Sequence, residues 1–159
     1  MIRVGVLSDT HMTVVSSDFR RILKTMFRDV DMLFHAGDMT SEEVFDYLSN
    51  WDLRAVRGNM DDFKLKALLP DKRIEEIEGI RIGIMHGRGS PEGIEDLVWG
   101  EFQGVDLIVF GHSHVPLNAV RKGTGLFNPG SLRGSYSYPG SVGIIEIDSG
   151  IRLKHLSVK

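Results

Sequence analysis

The chain has 159 residues, of which 42% are hydrophobic and 26% charged, with a formal net charge of −3. These values match an ordinary globular domain and exclude a disordered or collagen-like chain, and the acidic balance argues against a nucleic-acid grip built on bulk positive charge. With no cysteine in the sequence, disulfide frameworks, thiolate metal sites and cysteine nucleophiles are ruled out.

An alternating, β-branched run at Ile2–Leu7 predicts a strand. Phe19, Ile22, Leu23, Met26, Phe27 and Val30 then recur at helical spacing, with Ser16, Ser17 and Asp18 available as the N-cap. Met32–Ala36 reads as a second strand. Thr40 and Glu43 form an S/T-x-x-E capping box ahead of a helix that buries Val44, Tyr47, Leu48 and Trp51. Leu53–Arg57 is a third strand and completes a βαβαβ series, the signature of a parallel sheet with helices on its faces. Beyond Pro70, Arg73–Glu78 and Ile80–Met85 alternate around Gly79 as a hairpin. Ser90-Pro91-Glu92 predicts a helix start with Pro91 at the first helical position, continued by Ile94, Leu97, Val98 and Phe102. Val105–Phe110 is another buried strand. From Val115 the chain holds only strands and turns, ending in the pair Val142–Asp148 and Ile151–Val158. The apolar runs Val4–Leu7 and Leu107–Phe110 are too short for a signal peptide or a membrane span. The expectation is one α/β domain over residues 1–159, cytoplasmic and soluble, with a mostly antiparallel last third.

The residues just after each strand carry the chemistry. The first strand ends in Asp9-Thr10-His11, the second in Gly37-Asp38 and the third in Gly58-Asn59-Met60-Asp61. Ile80–Met85 runs into His86-Gly87, and Val105–Phe110 into Gly111-His112-Ser113-His114. Ligands of open α/β sheets bind at the carboxyl ends of strands. An Asp-x-His alone has little weight, since one is expected by chance about 0.5 times in a chain of this composition. Five fragments that all come directly after buried strands point together to a metal site. Imidazole and carboxylate without thiolate suit Mn, Fe, Ni, Zn or Co. Seven donors, Asp9, His11, Asp38, Asn59, His86, His112 and His114, exceed what one tetrahedral ion uses, and two ions with a shared ligand would use them all. Two divalent ions would trap an anion such as phosphate and clamp both oxygens of an in-line displacement.

At these residues the sequence resembles the calcineurin-like metallophosphoesterases. Asp9-x-His11, Gly37-Asp38, Gly58-Asn59, His86-Gly87 and Gly111-His112-x-His114 are similar to the family's five signatures, in order. The short length and Asn128-Pro129-Gly130-Ser131 resemble its small prokaryotic phosphodiesterase branch, which is related to the retromer-subunit scaffold. The resemblance implies a four-layer α/β sandwich, two central mixed β-sheets flanked by helices. It implies two divalent ions, manganese first, bridged by Asp38, with Asp9, His11 and His114 on one and Asn59, His86 and His112 on the other. The activity it implies is phosphoesterase, and more narrowly phosphodiesterase, with a metal-bridging hydroxide attacking phosphorus in line.

One position departs from the family. Its third signature commonly reads Gly-Asn-His-Asp/Glu, the His being the candidate acid for the leaving group; here Met60 stands there, and a thioether donates no proton. Asp61, Asn59 and His86 are the candidate catalytic residues. Arg57, Arg88 and Arg133 fall in or beside the rim loops, and Arg88 and Arg133 are the candidate substrate-binding residues through bidentate bonds to phosphate. His35 lies within a strand, His155 alternates in the last one, and both read as structural. The partner implied is a small phosphorylated substrate, with no membrane, no strong nucleic-acid signal and room for a homo-oligomer. The rival reading is a protein-docking scaffold of the same fold with a vestigial metal site, which has no physical reason to keep all seven donors.

Overall fold

The computed structural model describes residues 1–158. Ten strands and four helices come in the order β1 (Ile2–Leu7), α1 (Ser17–Met26), β2 (Met32–His35), α2 (Glu42–Leu48), β3 (Leu53–Ala55), α3 (Phe63–Leu68), β4 (Lys72–Ile77), β5 (Ile80–Met85), α4 (Ile94–Glu101), β6 (Leu107–Val109), β7 (Leu117–Arg121), β8 (Thr124–Asn128), β9 (Ser141–Ile147) and β10 (Ile151–Ser157). They build two five-stranded mixed sheets, β10-β9-β1-β2-β3 and β4-β5-β6-β8-β7. The expected βαβαβ series is parallel, with Val4 opposite Met32 and Leu33 opposite Leu53. No helix of the described residues is long and apolar enough to cross a membrane.

Side-chain alternation explains the layering. In a strand, successive side chains face opposite sides, and here both sides of each sheet are covered. Val4 and Val6 of β1, Phe34, Ile82, Ile84, Leu107, Val109, Phe127, Ile145 and Ile147 form one core between the two sheets. The opposite faces of β1, β2 and β9 send Leu7, Leu33 and Ile144 to Phe19, Leu23 and Phe27 of the first helix and its cap and to Val44 and Leu48 of α2. Met85, Ile108 and Leu126 of the second sheet meet Ile94 and Val98 of α4 and, just past its end, Phe102. The result is the expected four-layer sandwich.

Three local expectations differ. The Thr40–Glu43 capping box is not formed: Ser41 is the cap, accepting from the Val44 N–H. Thr40 instead donates its hydroxyl to the Met12 carbonyl, and Glu43 accepts from the Val15 N–H. The fourth helix begins at Ile94 rather than Pro91, because Gly93 precedes it at φ 91° and breaks the helical path. Helix α3 was not expected. It is six residues long, buries only Leu65, and leaves Phe63 and Leu68 87% and 63% exposed, so it shows no apolar stripe to read.

The two sheets approach so closely at β8 and β9 that one side chain has to be missing. A Cβ on Gly143 would lie 2.5 Å from the Phe127 ring. Gly143→Ala is therefore expected to destabilise the protein by about 1–3 kcal/mol through overpacking. Urea unfolding should show the double variant Gly143→Ala/Phe127→Leu losing less than the sum of the single changes; strict additivity would mean that this contact does not set the sheet spacing.

Candidate metal centre

Because β1, β2 and β3 run parallel in one sheet, and β5 and β6 in the other, their carboxyl ends open on one rim. The turns leaving them are stitched together by backbone hydrogen bonds: the Asp9 N–H donates to the Gly37 carbonyl, His11 to Asp38, and Gly111 to His86. These turns are tightly wound. Eight described non-glycine residues have positive φ, and five of them are candidate ligands: Asp9, His11, Asp38, His112 and His114. Backbone in this region is disfavoured for L-residues and persists where surrounding structure over-determines it.

Six of the seven expected donors come together. Asp9 Oδ1 lies 3.1 Å from His114 Nε2 and 3.6 Å from His11 Nε2. Asp38 Oδ2 lies 3.1 Å from His86 Nε2 and 3.6 Å from His11 Nε2. His86 Nε2 is 3.8 Å from Asp9 Oδ1 and 3.3 Å from His112 Nδ1. Asp9, His11 and His114 form one cluster able to hold an ion, and Asp9, Asp38 and His86 a second. Atoms bound to one ion at roughly 2.0–2.2 Å, 90–110° apart, sit roughly 2.8–3.6 Å from each other. The spacings fit. Asn59 stays exposed on the rim, lining a depression together with His86.

The protonation pattern fits a cation as well. His86 Nδ1 is 2.7 Å from the Ala36 carbonyl, which can only accept, so Nδ1 carries a proton and Nε2 faces the carboxylates. His112 Nε2 donates in the same way to the Gly89 carbonyl at 2.8 Å, which leaves Nδ1 facing His86. Such outer bonds fix the tautomer of a metal-binding imidazole. Asp9 is fully buried, yet its Oδ1 and the His11 Nε2 have no hydrogen-bond partner aligned on them. A buried carboxylate oxygen left without a partner is costly, and a divalent ion would satisfy it.

Charge distribution agrees. Burial opposes ionisation of Asp9, but the imidazoles of His11, His114 and His86 and the Ser8 hydroxyl override it and hold the carboxyl far below its usual range. Asp38 is likewise lowered: burial opposes this, and His86 and the Met60 N–H outweigh it. Burial works against protonation of His86, but Asp38 and Asp9 raise its pKa; His114 is raised chiefly by Asp9. The lone pairs that hold those protons are the ones a divalent ion would take, so metal binding would release protons.

Asp61, a candidate catalytic residue, is engaged by backbone N–H groups. Its Oδ2 accepts from the Gly58 and Asp38 N–H groups at 2.7 and 3.2 Å, and its Oδ1 from the Thr40 N–H at 2.8 Å. With both oxygens engaged, it braces the loops after β2 and β3. His35 is structural, as expected: fully buried, with Nε2 3.2 Å from the Thr10 hydroxyl and Nδ1 accepting from the Gly37 N–H. Burial pushes its pKa down to about 4. His155 donates to the Asn128 carbonyl and stacks on Phe127. Of the candidate arginines, Arg133 donates to the His11 carbonyl and Arg88 pairs with Glu101.

Several residues support the donors without being ligands; Asn128 and Ser131 belong to the Asn128–Ser131 stretch noted in the sequence, whereas Ser8 carries no signature there. Ser8 donates to Asp9 Oδ2 and Ser131 to the Asp9 carbonyl. Asn128 donates to the Gly111 carbonyl and the Ser113 hydroxyl, holding the His112–His114 turn. The signal that locates four of these turns is the glycine beside Asp38, Asn59, His86 and His112. A Cβ on Gly58 would fall 2.2 Å from Asp38 Oδ1, so any other residue there would displace the ligand.

Comparison with known proteins agrees with this arrangement. A family model described as the calcineurin-like phosphoesterase superfamily domain matches residues 2–150. A probable metallophosphoesterase from Methanothermobacter thermautotrophicus is 34% identical over 149 residues, covering 91% of this chain and 86% of that protein. A solved structure of an archaeal phosphodiesterase has a TM-score of 0.79 at 22% identity, covering 99% of this chain and 100% of its own. Wild-type Vps29 from Entamoeba histolytica, described as complexed with Zn2+, has a TM-score of 0.72 at 22% identity, covering 98% of this chain and 99% of its own. The family match spans nearly the whole sequence and contains every donor described above: this chain belongs to the calcineurin-like phosphoesterase superfamily.

Proposed function

We propose that the protein is a binuclear metal-dependent phosphodiesterase, hydrolysing a small phosphorylated substrate by in-line attack of water. The observation that carries this reading is the pair of donor clusters around Asp9 and Asp38, with Asp38 Oδ2 3.6 Å from His11 on one side and 3.1 Å from His86 on the other, and with one buried carboxylate oxygen and one imidazole nitrogen left unsatisfied. Asp9, His11 and His114 would hold one ion and Asn59, His86 and His112 the other, with Asp38 between them; manganese is the first choice and Ni, Fe, Zn or Co the alternatives. Bound there, the ions supply Lewis acidity toward the phosphoryl oxygens and the attacking water. The chain's own residues keep this site in shape. Asp38 is fixed by the Met60 N–H on its Oδ1, which turns Oδ2 toward the imidazoles. Asp61 acts as a positioning residue for the same loop. The site remains open to a substrate, since the side chains of His11 and His114 are 26% and 35% exposed.

The scaffold alternative shares this fold, and a Vps29 relative described with zinc shows that metal binding alone does not separate the two readings. Turnover does. Metal-loaded protein should hydrolyse bis(4-nitrophenyl) phosphate, chelation should abolish the activity, and Mn2+, Ni2+ or Co2+ should restore it. Loaded protein with no turnover of any phosphate ester would favour the scaffold.

Saturating metal should also raise Tm, because a ligand of the folded state alone stabilises it by about 2.7 kcal/mol at a hundredfold excess over Kd. Asp38→Asn should lose more bound metal, measured by elemental analysis, than Asn59→Ala, which removes one neutral donor. Two full equivalents in Asp38→Asn would contradict its place between the ions.

Position 60 governs leaving-group dependence. A positioned general acid contributes about 10²–10⁴-fold, and the Met60 side chain, 57% exposed beside the centre, supplies none. Log kcat/KM should therefore fall steeply as the leaving alcohol becomes less acidic, with aryl diesters cleaved readily and alkyl monoesters poorly. Met60→His should raise rates most for the poorest leaving groups. A shallow slope in the wild-type protein would mean that another group delivers the proton.

A further inference from the structure

Beside the centre, where the end of β3 in one sheet meets the end of β5 in the other, lies a cleft of about 190 Å3. His86 and Asn59 form the wall it shares with the metal site; Arg57, Lys66 and Arg88 bring three cations to its lining against one carboxylate, Asp71. This local excess of positive charge stands in a chain whose net charge is −3.

The cations are only partly neutralised. No ion pair among the described residues involves Arg57 or Lys66. Arg57 donates one guanidinium N–H to the Lys66 carbonyl, which ties it to α3 and leaves its remaining donors free. Arg88 pairs with Glu101, but Glu101 is shared with Lys72, so two cations divide one carboxylate. Uncompensated like charges gathered in one concavity repel each other, and an anion seated among them removes that repulsion. Two guanidinium groups suit the planar, bidentate recognition of phosphate.

We infer that this cleft is a second anion subsite and that the substrate is a phosphodiester carrying a further phosphate on the arm that leaves the metal centre past His86. The inference rests on the phosphodiesterase reading, because it places the second phosphate relative to the scissile one. The shared wall makes the two sites contiguous, so one molecule can occupy both. A monoester, with a single phosphate, fills the metal centre and leaves the three cations unused.

The test compares the 4-nitrophenyl ester of thymidine 5′-phosphate with the same compound bearing a 3′-phosphate, on Mn-loaded protein. Charged hydrogen bonds of this kind correspond to roughly a tenfold or greater gain, so the 3′-phosphate should raise kcat/KM by about that factor. Lys66→Glu reverses one charge on an exposed side chain and should bring the ratio of the two substrates to about one; Arg57→Gln should lower it as well. Turnover without a preference, or a preference that survives Lys66→Glu, would overturn the subsite while leaving the phosphodiesterase reading intact. If neither ester is cleaved, that reading fails and the subsite is decided by an NMR titration with inorganic phosphate. Metal-free protein should then show amide shifts at Gly58, Lys66 and Gly87 that Lys66→Glu abolishes, and their absence would dispose of the subsite too.

Discussion

Two carboxylates buried side by side, Asp9 and Asp38, set the terms for the rest of the molecule. Each commits one oxygen to the protein: Asp9 Oδ2 accepts from Ser8 and the His112 N–H, and Asp38 Oδ1 from the Met60 N–H. The other oxygens face three imidazoles across a gap of ionic dimensions. Burying two like charges without compensation is among the costliest arrangements a fold can hold. Positive charge must therefore be supplied, by protons on the histidines or by a cation. The surrounding fold supplies little of it directly, since no lysine or arginine is paired with either carboxylate among the described residues. A site built this way is poised for metal.

That demand is met at the expense of the backbone. Five candidate ligands sit at positive φ, a conformation disfavoured by roughly 1–2 kcal/mol per residue. The strain is offset by bonds from outside the turns. Ser131 reaches the Asp9 carbonyl from more than a hundred residues away in sequence, and Asn128 reaches Gly111. Asn128 is in turn held by the Gly130 N–H on its side-chain oxygen and by His155 on its carbonyl. The antiparallel last third thus buttresses loops that belong to the parallel strands. The closing β9–β10 pair contributes to the site's geometry through His155 without supplying a ligand.

Much of this was legible in the sequence because the signals are local. Strands buried on both faces read as apolar runs, and the donor fragments stand directly after them, so the parallel βαβαβ series and the six donors that meet could be foreseen, whereas the two-sheet, four-layer arrangement came from the family resemblance. The features that could not be foreseen depend on distant partners. Glu43 looks like half of a capping box until Val15 arrives from another segment to claim it. Helix α3 shows no stripe because its exposed Phe63 and Leu68 obey no burial pattern. Asp61 reads as a candidate catalytic residue by its place in the third fragment. Only the folded chain shows three N–H groups converging on it, two of them from the loop after β2.

The arrangement at Asp61 also accounts for how a methionine can stand at position 60 beside the clustered donors. The loop after β3 is held by Asp61 through Gly58, and it holds Asp38 through the backbone N–H of residue 60. Neither bond involves the side chain at 60, which projects to solvent. Metal geometry and the identity of a proton donor at this position are therefore physically separable. An imidazole there would add chemistry without being required to shape the loop, and its replacement by a thioether removes chemistry without loosening the ligands. The side chain at position 60 is therefore free to vary without disturbing the donors around Asp9 and Asp38, because the bond that holds Asp38 comes from the backbone of residue 60.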